Sequence, residues 1–287
     1  SIVQKLANEG AQVIANDLDA DLLAESVHKL TEEGMTAHAL PGDITEQATT
    51  EALVSTALER YGDLHIVVNN AAILRDAFVF KGSPDDWDAV IRNNLSGPFY
   101  LVAAATAVMR EQARAGRGGG DAYTWGRLIN LVSTAGFIGN YGQAPYAAAK
   151  GGLISLMRIA ALDMARTGVT SNAVAPFART RVTEIIQPAN DEQEIYKERA
   201  LKVDPQHVAR MTAWLCTEDA QDVTGQIFGV RGRETMLFSQ ARPVVTAIAD
   251  GDTWTMDTLT DTVNTHFRDH FADMRTDLEV FNTDPAL

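Results

Sequence analysis

The sequence predicts an α/β fold, a doubly wound parallel sheet of Rossmann-like type with helices on both faces, followed by a C-terminal extension. Two observations carry this. Apolar runs of strand length alternate with longer stretches of helical period, which is the pattern of a parallel sheet covered on both sides. A chain of 287 residues, 46% hydrophobic and 22% charged, can also bury one large core, which favours one domain plus an extension over two full domains.

Taken in order, Ser1 to Glu9 is amphipathic and reads as the middle of a helix. The strand Gln12 to Asn16, the helix Ala20 to Glu33, the strand Thr36 to Leu40, the helix Glu46 to Arg60 and the strand Ile66 to Asn70 follow, each bounded by polar or glycine-containing turns. A long helical region spans Pro84 to Arg114. Gly116 to Gly126 reads as a surface loop, because its Gly118-Gly119-Gly120 run does not follow a strand and lacks the spacing of a dinucleotide fingerprint. Next come the strand Arg127 to Val132, the helix Gln143 to Arg166 and the strand Val169 to Val174. Helices Val182 to Leu201 and Pro205 to Thr217 lead to a last strand, Ile227 to Val230. Beyond it lie a basic and apolar segment, Arg231 to Val245, and a helical acidic tail, Met256 to Met274. The pattern therefore divides the chain into a domain over 1–230 and an extension over 231–287, packed on the domain or on a partner subunit.

Composition narrows the function classes. A formal net charge of -14 repels phosphate backbones and acidic membrane surfaces, so neither nucleic acid nor a membrane is an expected partner. Cys216 is the single cysteine and cannot form an intramolecular disulfide, and no apolar run reaches the ~18 residues of a membrane span, which points to the cytoplasm. His266 and His270 have a metal-ligand spacing, but no third histidine or cysteine follows, so they read as residues of a surface helix and no metal is expected. Cys216, beside Trp214 and Leu215, reads as core.

The chemistry concentrates at Tyr146-Ala-Ala-Ala-Lys150. Residues four apart on a helix share a face, so this spacing sets a phenol beside an ammonium. A free phenol titrates near ~10, and a neighbouring cation favours phenolate, which would make Tyr146 an acid/base group at working pH. Ser133, at the end of the strand Arg127 to Val132, offers a hydroxyl that could meet the phenol. Asn69-Asn70-Ala71-Ala72 follows one strand, Asn93-Asn94-Leu95-Ser96-Gly97 lies in the long helical region, and Asn172-Ala173-Val174-Ala175-Pro176 closes another strand.

In this series of marks, from Ser1 to about Val230, the sequence resembles the short-chain dehydrogenase/reductase family. The resemblance implies hydride transfer between a nicotinamide cofactor and a hydroxyl or carbonyl carbon, with Tyr146 as proton donor or acceptor. Ser133 would hydrogen-bond the substrate oxygen. Lys150 would lower the Tyr146 pKa and hold the nicotinamide ribose, and Asn94 would anchor a water linking Lys150 to solvent. Asp17, after the strand Gln12 to Asn16, would accept hydrogen bonds from the adenosine ribose and repel a phosphate there, which favours NAD. Asp43 matches the adenine contact, and Asn70, Ala71 and Ala72 the segment along the cofactor, with Ala72 where the family usually has glycine. Pro176 completes the implied cofactor contacts.

The family's first strand and its glycine-rich pyrophosphate turn would precede Ser1, and neither lies in this sequence, so a truncated chain is expected. In a doubly wound sheet that strand is central, and without it its two neighbours would face a gap.

Phe177-Ala-Arg-Thr-Arg-Val-Thr183, Asn69 to Asp76, Gly139 to Lys150, Ala213 to Glu218 and Asn16-Asp17-Leu18 are similar to a narrower group, the (3R)-hydroxyacyl-CoA dehydrogenase modules of multifunctional β-oxidation enzymes. This implies NAD-dependent oxidation of a 3-hydroxyacyl thioester with a fatty or steroid-like chain. A coenzyme A moiety would want cations, and Arg75, Lys81, Arg179 and Arg181 are available. The alternatives are a ketone or quinone reductase with the same catalytic set, and a non-catalytic scaffold that kept the fold. The resemblance also implies a homodimer or homotetramer built on the long helical region and the Tyr146 helix.

Overall fold

A computed structural model describes residues 1–117, 125–180 and 191–287. Helix α1 (Ile2–Asn8) leads to strand β1 (Val13–Ala15), α2 (Ala20–Glu32), β2 (Ala37–Ala39), α3 (Gln47–Tyr61) and β3 (Ile66–Asn69). Helix α4 (Pro84–Ile91) follows, with Pro84 in its first turn and the Ser83 side chain accepting a hydrogen bond from the Asp86 amide. The expected long helix is then interrupted. A π turn, Arg92–Ser96, separates α4 from α5 (Gly97–Arg114), and such turns occur frequently at functional sites.

Strand β4 (Arg127–Leu131), helix α6 (Ala144–Asp163) and strand β5 (Thr170–Phe177) form the centre of the molecule. Helices α7 (Asp191–Ala200) and α8 (Gln206–Trp214) and strand β6 (Ile227–Arg231) complete the predicted series. The first half of the expected helix Val182 to Leu201, and most of the Gly116 to Gly126 loop, lie outside the described residues. Strand β7 (Glu234–Leu237), absent from the sequence reading, pairs antiparallel with β6 through a tight turn in which Gly232 has φ 61°. The Gly232-Arg233 pair is the legible signal for that hairpin.

The order in the main sheet is β3-β4-β5-β6-β7, and its first four strands are parallel. Strands β1 and β2 pair only with each other, in parallel. Among the described residues no hydrogen-bonded strand joins β1 to β3. The main sheet is covered on both faces. Ile129, Leu131 and Val174 pack with Leu6 of α1 and Val208 and Ala213 of α8, while Leu128 packs with Val102, Ala105 and Met109 of α5 and Ala160 of α6. Helix α2 covers β1 and β2 through Leu23 and Val27.

The extension does not divide at residue 231 as expected. Ser1–Phe238 and Thr276–Leu287 form one compact unit, and Ser239–Arg275 forms a second. The reason is local: Arg231 donates to the carbonyls of Phe281 and Thr283, and the Arg233 amide to the carbonyl of Ala286, so the last residues belong with the sheet. The second unit holds α9 (Met256–Thr262), capped reciprocally by Thr255 and Thr258, and none of its residues is buried. The helix expected to reach Met274 ends early, in a π turn at Val263–Phe267 and a 3-10 turn at Arg268–His270. His266 and His270 are exposed there, and no group of three potential metal ligands exists among the described residues. Nor is any described helix long and apolar enough to cross a membrane.

Candidate active site

The reacting constellation begins with β4, all five residues of which are buried, because it is central and packed on both faces. Ser133 lies two residues past its end and caps a 3-10 turn, Thr134–Gly136, where its hydroxyl accepts a hydrogen bond from the Ala135 amide at 3.2 Å. This turn presses against α6. A Cβ on Gly136 would stand 2.8 Å from the Gly151 nitrogen, and one on Gly151 would stand 2.9 Å from the Gly136 carbonyl oxygen. Only two glycines permit that approach, and it sets Ser133 beside the first turns of α6, which carry Tyr146 and Lys150.

Burial raises the Tyr146 pKa to about 12, a hydrogen bond with Ser133 opposes the shift, and the carboxylates of Asp277 and Asp76 add to it. The expectation that Lys150 depresses the Tyr146 pKa is not met in this arrangement. Lys150 has 2% exposure, its Nζ donates to the Leu131 carbonyl at 2.6 Å, and it stands 5.7 Å from the centroid of the Tyr146 ring. Burial lowers the Lys150 pKa to about 8. The two side chains do stand together as predicted, but burial dominates the pKa of each, and the resting site holds a protonated phenol.

Asn94 lies in the π turn with 0% exposure. Its Nδ2 donates to the Ile73 carbonyl at 2.9 Å, and its Oδ1 accepts from the Ile73 amide at 2.8 Å. The side chain therefore ties the segment after Ala72 to the helices that flank α6.

The residues predicted to contact a cofactor gather by topology. Asp17 follows β1, Asp43 follows β2, Asn70, Ala71 and Ala72 follow β3, and Pro176 is the penultimate residue of β5. Ligands of open α/β sheets bind in the crevice outside the carboxyl ends of the parallel strands, and all of these positions are there. Asp17 is engaged locally by the Asp19 amide at 3.1 Å, and Asp43 by the Thr45 amide at 2.8 Å. No described strand of this chain is followed by a glycine-rich turn of the pyrophosphate-binding kind. Carboxylates after β1 and β2 and the Tyr146–Lys150 pair of α6 are thus the side chains that would hold the two ends of a dinucleotide.

The cations proposed for coenzyme A have separate surroundings where they are described. Arg75 pairs with Asp86 at 3.5 Å, Lys81 lies over the Phe80 ring at 5.8 Å, Arg179 is exposed, and Arg181 lies outside the described residues. Cys216 is buried, and burial pushes its thiol up to about 12, as befits a core residue.

Sequence reasoning missed Asp277, which opens a short helix α10 (Asp277–Val280) in the last segment of the chain. Its Oδ2 accepts a hydrogen bond from Thr134 Oγ1 at 2.9 Å, across 143 positions of sequence. The capping box Thr276–Glu279 announces a helix start, but no local pattern could reveal what that helix meets. Tyr196 of α7 was missed as well; burial first, then the charge of Asp277 and the proximity of Tyr146, raise its pKa.

The chain is similar to several known proteins. A family profile described as enoyl-(acyl carrier protein) reductase matches residues 1–232. The chain is 39% identical to the hydroxyacyl-CoA dehydrogenase ChsB1 of Mycobacterium tuberculosis over 93% of this chain and 83% of that protein. It is 32% identical to the 3-oxoacyl-[acyl-carrier-protein] reductase FabG of Staphylococcus aureus over 81% of this chain and 91% of that one. Among solved structures, a short chain dehydrogenase from Mycobacterium avium superposes with a TM-score of 0.78 at 31% identity, covering 92% of this chain and 88% of the other.

Proposed function

The chain belongs to the short-chain dehydrogenase/reductase family of oxidoreductases, and from that premise we propose that it oxidises a 3-hydroxyacyl thioester, of coenzyme A, with NAD as hydride acceptor. The observation that carries the reaction type is the junction of Ser133, Tyr146 and Lys150 at the carboxyl end of the buried central strand. Similarity to a hydroxyacyl-CoA dehydrogenase supports the substrate class.

In this reading Tyr146, as the phenolate that Lys150 would stabilise, takes the proton of the substrate hydroxyl, and the Ser133 hydroxyl donates a hydrogen bond to the oxygen that becomes the carbonyl. The bound nicotinamide supplies the acceptor for the hydride that leaves the carbinol carbon. Among the described residues Lys150 donates to the Leu131 carbonyl, and an ammonium has further N–H groups with which to hold the ribose and stabilise phenolate. Asp17 would hold the adenosine ribose and discriminate against a phosphate on it, Asp43 the adenine, and Asn70, Ala71, Ala72 and Pro176 the walls between. Exposed Phe99 on α5, with Ile159 and Leu162 on α6, suits association of these helices with a second copy, as a dimer or tetramer in the cytoplasm.

A second reading, reduction of a 3-oxoacyl thioester, is favoured by the protonated Tyr146 of the resting site and by the similarity to a 3-oxoacyl carrier-protein reductase. Absorbance of reduced nicotinamide separates the two, with 3-hydroxyacyl-CoA and NAD in one assay and 3-oxoacyl thioesters with reduced NAD or NADP in another. The expected result is NAD reduction confined to the thioester and reduced about a thousandfold in Tyr146→Phe, within the range for loss of a general acid/base. Turnover that survives Tyr146→Phe refutes the mechanism.

A further inference from the structure

We propose that Asp277 is a positioning residue for the reacting pair: its carboxylate and its backbone amide brace the turn that carries Ser133. The proposal rests on the reading of Ser133 and Tyr146 given above and adds a residue from outside the segment that the family profile matches, residues 1–232.

The first half of the argument is geometric. The turn after β4 runs from Ser133 through Thr134 to Gly139. Asp277 holds it at both ends, since Oδ2 accepts from Thr134 Oγ1 at 2.9 Å and its own amide donates to the Gly139 carbonyl at 2.9 Å. Thr134 is the immediate neighbour of Ser133, so a shift of Asp277 moves the hydroxyl that must meet the substrate oxygen. The brace is itself anchored. Arg231 of β6 is paired with Glu234 at 2.6 Å and donates to the carbonyls of Phe281 and Thr283, while the Phe281 ring lies 4.7 Å from Phe177 and 6.2 Å from Phe238. The final segment is thereby fixed to the sheet at the carboxyl ends of β5 and β6.

The second half is electrostatic. Asp277 has 6% exposure, and its Oδ1 is buried without a hydrogen-bond partner of ordinary geometry. A half-satisfied buried carboxylate is costly, and sites that tolerate one often use its charge. Among the described residues, Thr134 of the turn bonds it, and its charge acts on Tyr146 of α6 and Tyr196 of α7, with Arg231 of β6 also acting on Tyr196 and Asp76, in the loop after β3, on Tyr146. Burial raises the Asp277 pKa to about 6, with the hydrogen bond from Thr134 opposing the shift. Above that pH the carboxylate is charged and opposes phenolate at Tyr146. Below it the opposition disappears.

The test uses the full chain with fluorotyrosine at position 146, so that fluorine NMR reports ionisation of that phenol alone, without cofactor or substrate. Asp277→Asn keeps an oxygen for Thr134 to donate to and removes the charge. The expected result is a fall of about one pH unit in the Tyr146 midpoint, the low end of the shift for a close like charge, with Asp277→Glu restoring most of it. An unmoved midpoint in a cooperatively folded Asp277→Asn protein overturns the electrostatic role. Thr134→Val tests the brace and avoids touching Asp277: kcat should fall about tenfold with KM little changed, and Thr134→Ser should recover it, whereas an unaltered kcat in Thr134→Val overturns the positioning role. Activity that survived Tyr146→Phe would refute the reaction and leave the NMR midpoint to decide the electrostatic inference.

Discussion

The five-stranded sheet and the β1–β2 pair do different work and are built differently. Every residue of β4 is buried, Leu128 and Ile129 with 0% exposure, and apolar side chains cover it from both sides. In β1 only Ala15 is buried, and in β2 no residue is. The groups proposed to react hang from the first sheet, while Asp17 and Asp43, proposed to grip the adenosine end, follow the second. Proton transfer demands side chains held to within a fraction of an ångström, which dense packing supplies. Gripping a large ligand is more forgiving, because the ligand's own binding energy helps to order its site.

Core truncation should expose that contrast most strongly. Leu128→Ala removes a fully buried side chain between α5 and α6 and should cost about 3–5 kcal/mol, read as a lower midpoint in urea unfolding. Ile14→Ala in β1 should cost only about 1 kcal/mol, since its side chain is half-buried. Equal losses at the two positions would erase the distinction between the sheets.

Lys150 sharpens the comparison from the other direction, because dense packing here buries a charge. Its folded pKa, about 8, lies below the ordinary value of 10.5, so between those limits the unfolded chain binds more protons and stability rises with pH. The destabilisation is full below about pH 8 and amounts to about 3 kcal/mol for a fully buried ammonium with this shift. Lys150→Met should therefore gain relative to the parent at neutral pH, with the advantage shrinking as pH approaches 10. Two other groups titrate in separate windows. Asp277, raised to about 6, contributes stability in acid that is lost as pH rises through 6, and Tyr146, raised to about 12, contributes below pH 10 and loses it toward 12. Denaturant midpoints taken from pH 7 to 10 test the Lys150 window, and a parallel pair of curves for parent and Lys150→Met would contradict it.

What could be read in the sequence divides along the same line. Strands β4 to β6 were legible because parallel strands buried on both faces read as continuous apolar runs, β1 to β3 because short apolar runs stand between turn residues, and the boundaries fall within a few residues of those predicted. Tyr146 and Lys150 were legible because helical spacing is local. The mutual effect of those two groups was not, since spacing reveals proximity but not desolvation, and desolvation sets both pKa values. The break at Arg92–Ser96 was hidden because the helical pattern continues through it. Asp277 was hidden for a different reason: its partners, Thr134 and Gly139, are set by the path of the last segment, which no periodicity encodes. β7 shows an intermediate case, where a glycine turn was present in Gly232-Arg233 and the four-residue strand after it was too short to register as a period.

The smallest expected effect falls in the lightly packed half, at Asp17. Its carboxylate follows β1, and it accepts a hydrogen bond from the Asp19 amide at the start of α2. Asp17→Asn keeps an acceptor for that amide and removes the charge, so the turn should persist. Two hydroxyls of a ribose would then meet a weaker acceptor, and a phosphate on that ribose would no longer meet a carboxylate. The expected outcome is a rise of about tenfold in KM for NAD, worth about 1.4 kcal/mol, together with a fall in KM for NADP and little change in kcat with either. The absence of a kcat effect is the informative part, because it would separate gripping the cofactor from positioning the phenol. If kcat fell along with NAD affinity, the two sheets would be coupled through the bound dinucleotide, and the β1–β2 pair would have to be counted among the elements that hold the reacting geometry.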